Sequence, residues 1–329
     1  MSSGTHQVVV VRETGGIDSL QLETQVIPLP GPGEAQIRHR AIGLNFIDTY
    51  FRTGLYKAPS LPFTPGAEGA GVVTAVGEGV DDLQVGDRVA YAGASLGAYS
   101  EYRLIPADRL VPLPDDVSDE VAAAALLKGL TAEYLLRRTF QVRGGETILV
   151  HAGAGGVGSL LCQWGKHLGA TVIATVGSEA KARLARQYGA SEVILYRKES
   201  VSARVRELTG GAGVPVVYDS VGADTFMDSL DCLAPRGLMV SFGQASGKVP
   251  ALDIALLSQK GSLFLTRPTL GTYTQDRTEL LQASEALFSV LRAGVLSVHI
   301  GQRYPLADIR LAHMDLESRK TVGSSVLIP

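Results

Sequence analysis

The stretch HAGAGGVG, at positions 151–158, has the glycine spacing of a loop that binds phosphate. It follows the apolar run ETILV and leads into a helix that we predict over residues 156–167. Glycines in such a strand, turn and helix allow a sharp turn, a close approach of backbone to a pyrophosphate and tight helix packing, while the helix N–H groups face the anion. A glycine loop without a ligand is the alternative. The predicted dinucleotide contacts are Gly153, Gly155, Gly156, Val157 and Gly158.

The residues after the next predicted strand indicate which dinucleotide binds. In NAD sites an acidic residue about 20 positions past the glycines binds the ribose 2′-hydroxyl, and a carboxylate there repels a 2′-phosphate. The sequence TVGSEAKAR has Gly177 and Ser178 in that region, with Lys181 one helical turn later. This favours NADPH, although Glu179 could turn toward the hydroxyl and Lys181 could be a solvated helix lysine. Tyr196 closes the third strand and is expected beside the adenosine end.

The elements around this loop alternate between strand and helix. From about residue 146 the runs ETILV, TVIATV, EVILY, PVVYDSV and GLMVSFG are separated by helical stretches. Continuous apolar strands alternating with helices predict an α/β fold with a doubly wound parallel sheet of the Rossmann type. Before about residue 125, short apolar runs between Gly and Pro clusters predict a β-rich domain. A long helix is predicted over residues 277–292, and the tail VGSSVLIP is expected to return to the first domain.

Composition and charge exclude several classes of protein. The chain has 329 residues, 45% of them apolar, which can fill two cores. A net charge of −3 without a basic stripe argues against binding to nucleic acid. The N-terminus lacks a signal pattern and there is no apolar run of about 18 residues, so we expect a cytoplasmic protein. Cys162 and Cys232 stand far apart and provide neither a disulfide framework nor a four-thiolate zinc site.

The segment PGAEGAGVVTAVGEGV fits the signature GxExxGxxxxxGxxV of the medium-chain dehydrogenase/reductase superfamily, through Gly66, Glu68, Gly71, Gly77 and Val80. Together with GLNFIDTYFRTGLY, HAGAGGVG and VVYDSVG, it makes nearly the whole chain resemble the NADPH-dependent quinone oxidoreductases of the zeta-crystallin-like branch. The resemblance implies a β-rich, GroES-like catalytic domain of residues 1–127 and 268–329. It also implies an NADPH-binding Rossmann domain of residues 128–267, with the cofactor in the cleft.

The same resemblance also predicts whether the site holds a catalytic zinc ion. In the zinc alcohol dehydrogenases of the superfamily, a histidine after the first signature glycine and a cysteine in the preceding segment are zinc ligands. Here Ala67 and Asn45 stand at those positions, so we predict that the catalytic zinc is absent. Without a Lewis acid, oxidation of an alcohol is difficult. A quinone, in contrast, accepts a hydride readily because the product is an aromatic phenolate.

The resemblance also implies which residues line the substrate site. Asn45 and Tyr56 are expected to donate hydrogen bonds to the developing oxyanion, and Tyr50 to contact cofactor or substrate. Asn45 is expected to contact the cofactor as well. The alternatives are that Asn45 forms a turn and that the tyrosines fill the core. Glu68 is expected to be a structural carboxylate that holds loops.

Further cofactor contacts follow from the resemblance and from the carboxyl edge of the sheet, where open α/β sheets bind ligands. Arg267, just beyond the last strand, could contact substrate or phosphate. Ser220 is expected to be a structural or ribose contact. The predicted contacts are Lys128, Thr131, Tyr134, Ser220, Phe242, Gly243 and Arg319.

The run SLFLT, at residues 262–266, is expected at an edge of the sheet. A bare apolar edge strand pairs with other chains, and the resemblance implies a homodimer formed through this strand. Two other functions remain open from the sequence. One is reduction of the C=C bond of an enone or alkenal, and the other is a non-catalytic NADPH-binding or RNA-binding protein.

Overall fold

The computed structural model describes residues 4–93, 95–318 and 321–329. Short apolar or alternating runs form most of the strands. The strands are β1 (Thr5–Val10), β2 (Gln21–Val26), β3 (Glu34–Leu44), β4 (Glu68–Val76), β5 (Arg88–Ala92), β6 (Tyr102–Pro106), β7 (Val111–Pro112), β8 (Thr147–Val150), β9 (Thr171–Val176), β10 (Glu192–Leu195), β11 (Val214–Asp219), β12 (Leu233–Ser241), β13 (Phe264–Thr266), β14 (Ile300–Pro305) and β15 (Ser324–Ile328).

The helices include the two that the sequence predicts over residues 156–167 and 277–292, and both predictions are confirmed. A π-helical turn, Leu135–Thr139, follows the second helix. The helices are α1 (Phe46–Thr53), α2 (Asp119–Tyr134), α3 (Gly156–His167), α4 (Glu179–Gln187), α5 (Val201–Leu208), α6 (Phe226–Cys232), α7 (Ala255–Gln259), α8 (Leu270–Tyr273), α9 (Arg277–Arg292) and α10 (Ile309–Glu317).

Internal contacts divide the described chain into two compact units. The first unit contains the residues up to Leu130, the segment Tyr273–Arg292 and the residues from Val298 onward. The second unit contains Thr131–Thr272 and Ala293–Ser297.

The second unit is built on a parallel sheet with the strand order β10-β9-β8-β11-β12-β13. Its inner strands are mainly apolar, and Leu149, Ile173 and Val217 are fully or almost fully buried, as expected for the inner strands of a parallel sheet. The chain runs outward from β8 in both directions, so the strand order changes direction between β8 and β11. The doubly wound Rossmann sheet predicted from the sequence is confirmed.

The first unit contains a mainly antiparallel sheet with the order β14-β15-β3-β4-β5-β7, and β6 also pairs with β3. Its core includes Ile37 and Val73, which face each other across β3 and β4. The C-terminal tail forms β15 and pairs antiparallel with β3, with Val326 opposite Gly43. The expected return of the tail to the first domain is therefore confirmed.

Strand β13 lies at the edge of the second unit's sheet, as the sequence predicts. Two of its large apolar side chains are exposed, Phe264 at 60% and Leu265 at 39%. In the described ranges no helix combines the length and the apolar character needed to cross a membrane.

Candidate active site

The glycine loop connects β8 to α3, and packing requires two of its glycines. A Cβ on Gly153 would lie 2.6 Å from Cβ of Ala174 in β9, and a Cβ on Gly158 would lie 2.2 Å from the Ala152 carbonyl oxygen. Ala152 itself has a positive φ of 54°, as the sharp turn demands. Gly155 caps α3, and a Cβ there would lie 3.1 Å from the Ala152 carbonyl oxygen and 3.9 Å from the Ala152 Cβ. The loop therefore has the close packing of a strand, tight turn and helix, with Gly156 and Val157 in the first turn of α3.

The ends of β9 and β10 meet at the same edge of the sheet. A Cβ on Gly177 would lie 2.6 Å from the Tyr196 hydroxyl, so the tyrosine ring stands beside this glycine. Ser178 is the N-cap of α4, and its Oγ accepts from the backbone N of Lys181 at 3.3 Å. These residues form one cluster, at the position where the sequence predicts the contacts that distinguish the two dinucleotides.

Glu179, which follows Ser178 in the chain, forms an ion pair with Lys198. Its Oε1 lies 2.8 Å from Nζ of Lys198, and the hydrogen bond from that ammonium group lowers the pKa of the Glu179 carboxyl. Both side chains are exposed. The carboxylate that follows Ser178 in the chain is therefore already engaged by a cation.

Ser220 and Gly243 follow β11 and β12 and pack closely together. A Cβ on Gly243 would lie 2.5 Å from the Ser220 carbonyl oxygen. Phe242 donates its backbone N–H to Asp219 O at 2.8 Å. Nη1 of Arg267 donates to the carbonyls of Ser241, at 2.7 Å, and Gly243, at 3.1 Å. Arg267, which the sequence leaves unplaced, therefore fixes the chain that leaves β12.

In the first unit, Asn45 and Lys128 converge on the buried carboxylate of Glu68. Oε2 of Glu68 accepts from Nδ2 of Asn45 at 2.8 Å and from Nζ of Lys128 at 3.2 Å, while Oε1 accepts from the Leu127 N–H at 2.6 Å. Glu68 is completely buried, and Asn45 and Lys128 are nearly so. A Cβ on Gly43 would lie 2.2 Å from the same Oε2. Glu68 thus joins its own strand, β4, to the start of α1 and to α2.

Asn45 is also anchored through its backbone, because it precedes the first turn of α1. Its N–H donates to Oδ2 of Asp48 at 2.8 Å. The Tyr99 hydroxyl donates to the same oxygen at 2.8 Å and lies 3.1 Å from Nε2 of His313. Nη1 of Arg52 lies 3.3 Å from Nδ1 of His313. Because a guanidinium group only donates, Nδ1 accepts, and the hydrogen bonds run from Arg52 toward Asp48.

Burial has the largest effect on the pKa values of the groups in this series of hydrogen bonds. It raises the pKa of Asp48 to about 7, although the hydrogen bonds from Asn45 and Tyr99 lower it. Burial also lowers the pKa of His313 to about 3, and Arg52 adds to that effect. His313 is therefore neutral at physiological pH, with its proton on Nε2.

Tyr50, in α1, lies next to Tyr56, which follows the end of that helix. Their ring centroids are 5.2 Å apart in an edge-to-face arrangement, and Phe51 packs on Tyr56 at 5.7 Å. The Tyr56 N–H donates to the Tyr50 carbonyl at 2.9 Å. Tyr50 is buried and Tyr56 is half-buried. The structure therefore groups the predicted Tyr50 and Tyr56, and it places Asn45 at the start of the same helix.

Helix α2 carries Lys128, Thr131 and Tyr134, and all three are buried. Thr131 and Tyr134 belong to the second unit, and Lys128 belongs to the first. The predicted cofactor contact Arg319 lies outside the described residues.

The residues at the positions of the superfamily's zinc ligands do not fit zinc. The Asn45 amide nitrogen donates to Glu68, and Ala67 has no donor atom. Cys162 and Cys232 are buried, and burial raises the pKa of both thiols, which disfavours the thiolate that zinc binds. Over residues 4–93, 95–318 and 321–329, no cluster of three or more His, Cys, Asp or Glu side chains could hold a metal ion.

Comparison with known proteins gives two family matches. Residues 31–115 match the family described as "Alcohol dehydrogenase GroES-like domain", and residues 156–287 match "Zinc-binding dehydrogenase". A "Quinone oxidoreductase" from Pseudomonas aeruginosa is 55% identical, over 96% of this chain and 97% of its own length. The chain belongs to the quinone oxidoreductase family of the medium-chain dehydrogenases/reductases.

Two further proteins are similar to this chain over nearly its whole length. The crystal structure of Escherichia coli quinone oxidoreductase complexed with NADPH has a TM-score of 0.97 and 51% identity, and the alignment covers 99% of this chain and all of that one. A "2-haloacrylate reductase" from Burkholderia is 45% identical, over 97% of this chain and 98% of its own length. The α/β fold of the quinone oxidoreductase family, with a Rossmann sheet and a GroES-like part, is therefore confirmed for this chain.

Several contacts of the site are absent from the sequence prediction. Asp48, Tyr99 and His313 support Asn45, and of these Tyr99 and His313 are distant from it in the chain and fit no motif. The only signal was local: an Asp three residues after an Asn is typical of a capped helix start. The prediction that Glu68 is a structural carboxylate agrees with the contacts described above.

Proposed function

We infer that this chain is an NADPH-dependent quinone reductase that works without zinc. The observation that carries the inference is the full-length similarity to the quinone oxidoreductase solved with NADPH, at 51% identity. The glycine loop supports it because packing against Ala152 and Ala174 leaves Gly155 to approach a pyrophosphate.

Bound NADPH supplies a hydride, which with one proton from solvent reduces a quinone to the hydroquinone. The protein then has to hold the acceptor and stabilise the negative oxygen that develops. We assign the donors to Asn45 and Tyr56 and a packing contact to Tyr50. Nδ2 of Asn45 donates one hydrogen to Oε2 of Glu68 at 2.8 Å, and the same nitrogen lies 3.5 Å from the Gly43 carbonyl oxygen. That distance is long for a hydrogen bond, so the second hydrogen can serve the oxyanion.

Glu68 and Lys128 support this role in different ways. Glu68 fixes the Asn45 amide and so determines which direction its second N–H faces. Lys128 donates one of its three hydrogens to Glu68 and can give the others to the cofactor. The positive charge of Lys128 also lies in a buried environment, where it stabilises nearby negative charge more than it would in water.

The other end of the cofactor is assigned to the cluster at β9 and β10. Ser178 and Lys181 would bind the 2′-phosphate, while Tyr196 and Gly177 would contact the adenosine. The remaining contacts proposed are Gly153, Gly155, Gly156, Val157, Gly158, Thr131, Tyr134, Ser220, Phe242, Gly243 and Arg319.

Reduction of an activated C=C bond is the second candidate. It is favoured by the 45% identity to a protein named "2-haloacrylate reductase". This reaction uses the same cofactor and places the proton on carbon instead of oxygen, so it needs an acid near the α-carbon.

We further propose that residues 1–127 and 268–329 form the catalytic domain and residues 128–267 the NADPH-binding domain. The exposed apolar residues Phe264 and Leu265 support a homodimer in which β13 pairs with its copy. We propose that the dimer works in the cytoplasm on small quinones and binds no nucleic acid, which the net charge of −3 supports.

The test is steady-state oxidation of reduced nicotinamide by chelator-treated protein with three acceptors: benzoquinone, a naphthoquinone and a simple enone. We expect turnover with NADPH and the quinones, and much lower rates with the enone. Faster reduction of the enone than of either quinone would support the second candidate. Binding of NADPH without turnover on any acceptor would instead indicate a non-catalytic binding protein.

A further inference from the structure

A chain of four buried polar side chains lies in the second unit, beside the glycine loop. Nδ1 of His151 lies 2.9 Å from Oγ1 of Thr175, and Nε2 lies 2.9 Å from Oγ of Ser229. Ser229 Oγ is in turn 2.9 Å from Oδ2 of Asp219. All four side chains are at most 1% exposed. Buried polar groups are retained when their hydrogen bonds are satisfied, and each of these four has its partners.

The direction of every hydrogen bond in this chain is fixed. The Asp219 carboxylate accepts from the N–H groups of Val221, at 2.7 Å, and Gly222, at 3.1 Å, and from the Thr225 hydroxyl. Because donors surround it, the single hydrogen of Ser229 also points to Asp219, and Ser229 accepts from Nε2 of His151.

Nδ1 of His151 then carries no proton and accepts from Thr175. Burial lowers the pKa of His151, in agreement with a neutral ring, although Asp219 and Asp228 raise it. The structure brings a histidine, a serine and an aspartate together, but not in the order of a catalytic triad. The serine lies between the histidine and the aspartate and is buried, so it is no nucleophile.

The chain of side chains links two loops at the carboxyl edge of the sheet. The His151 N–H donates to Tyr218 O in β11 at 3.0 Å, and the Gly153 N–H donates to Thr175 O in β9 at 3.1 Å. The glycine loop is thus attached to both neighbouring strands. Asp219 binds the backbone N–H groups of the turn that follows β11, next to Ser220.

We propose that Thr175, His151, Ser229 and Asp219 are positioning residues for NADPH. Their fixed hydrogen bonds hold the glycine loop and the turn after β11 in the arrangement that receives the pyrophosphate and ribose. This rests on the proposed function, because it requires that the glycine loop binds the dinucleotide. Residues that orient the groups in direct contact with a ligand commonly affect affinity as much as some of those groups do.

The experiment compares Thr175→Val, which removes the hydroxyl, with Thr175→Ser, which keeps it. NADPH affinity is measured by calorimetry, and KM and kcat by steady-state turnover with benzoquinone. Loss of the bond to His151 should weaken NADPH binding about tenfold in the valine variant, and the serine variant should bind within about twofold of wild type. The valine variant should keep its kcat at saturating NADPH and its KM for quinone.

Ser284→Ala is the matched control, since Ser284 is buried in α9 and its hydroxyl donates only within that helix, to Leu280 O at 2.7 Å. It should leave NADPH affinity unchanged. If Thr175→Val does not fold, Ser229→Ala interrupts the same chain and should give the same loss of affinity.

Equal NADPH affinity in Thr175→Val and wild type would overturn the proposal while leaving the proposed function intact. An equal fall in affinity for the valine and serine variants would also overturn it, because packing and not the hydroxyl would then be responsible. Failure of the wild-type protein to bind NADPH at all would refute the proposed function itself.

Discussion

Replacing Asp48 with asparagine should change how the stability of the protein depends on pH. Burial raises the pKa of Asp48 from 3.8 to about 7 in the folded protein. Its stabilising contribution, from the protonated form, is therefore fully present below about pH 4 and is lost as the pH rises through about 7. Above that pH the buried charge costs about 4 kcal/mol, at about 1.4 kcal/mol for each pKa unit.

The asparagine side chain keeps the geometry of the site. Its Oδ1 can accept the bonds from the Asn45 N–H and the Tyr99 hydroxyl that Oδ2 of Asp48 accepts now. Its amide group takes the place of Oδ1 of Asp48, a buried atom for which the described residues provide no hydrogen-bond partner. The variant therefore removes the titrating charge with little loss of contacts.

The measurement is the free energy of unfolding in urea, for wild type and Asp48→Asn, at pH 5 and pH 8. The stability of the variant relative to wild type should be greater at pH 8 than at pH 5 by about 2 to 3 kcal/mol. Comparing one pair of proteins at two pH values cancels effects that do not depend on pH. Asp81→Asn, at an exposed carboxylate, is the control and should show a much smaller difference. An equal stability difference for Asp48→Asn at both pH values would refute a raised pKa for Asp48.

Three further predictions test the assigned roles. Asn45→Ala should lower kcat/KM for benzoquinone by about tenfold, because one oxyanion donor is lost; an unchanged value would assign Asn45 to structure alone. Lys181→Ala should raise KM for NADPH several-fold, which corresponds to about 1 kcal/mol of binding free energy, and leave KM for NADH unchanged. Lys57→Ala is the control. Equal effects on both cofactors would contradict a phosphate contact. Phe264→Lys should convert a dimer to a monomer in sedimentation velocity. The control is Leu29→Lys, at a residue 83% exposed in the first unit, which should leave the dimer intact. A Phe264→Lys variant that sediments like wild type would show that β13 is not in the interface.

Local patterns were sufficient to predict the parallel sheet of the second unit and the helix that follows its glycine loop. The run ETILV, the glycines and the apolar periodicity that follows predict both ends of α3, because a strand, a tight turn and a helix leave their signals within about 20 residues. The edge position of β13 was also predictable, because SLFLT is the last apolar strand-like run before the long helix predicted over residues 277–292.

The contacts that orient the site could not be predicted from the sequence. Asp48 and His313 are joined through Tyr99, and His151 is joined to Asp219 through Ser229, yet these residues lie far apart in the chain. No spacing rule relates them, because their proximity depends on which strands become neighbours and on how the helices pack. Asn45 differs from these residues: the sequence names it, and the structure places it at the start of α1, where the nearby Asp48 fixes its backbone.

The central claim is zinc-independent reduction of a quinone with NADPH, and one measurement tests it most directly. Protein freed of metal by chelation, with its zinc content determined by elemental analysis, is mixed with benzoquinone and either NADPH or NADH, and the rate of cofactor oxidation is recorded. The account predicts undiminished turnover without zinc and a higher kcat/KM for NADPH than for NADH. Activity that disappears on chelation and returns with added zinc would contradict it.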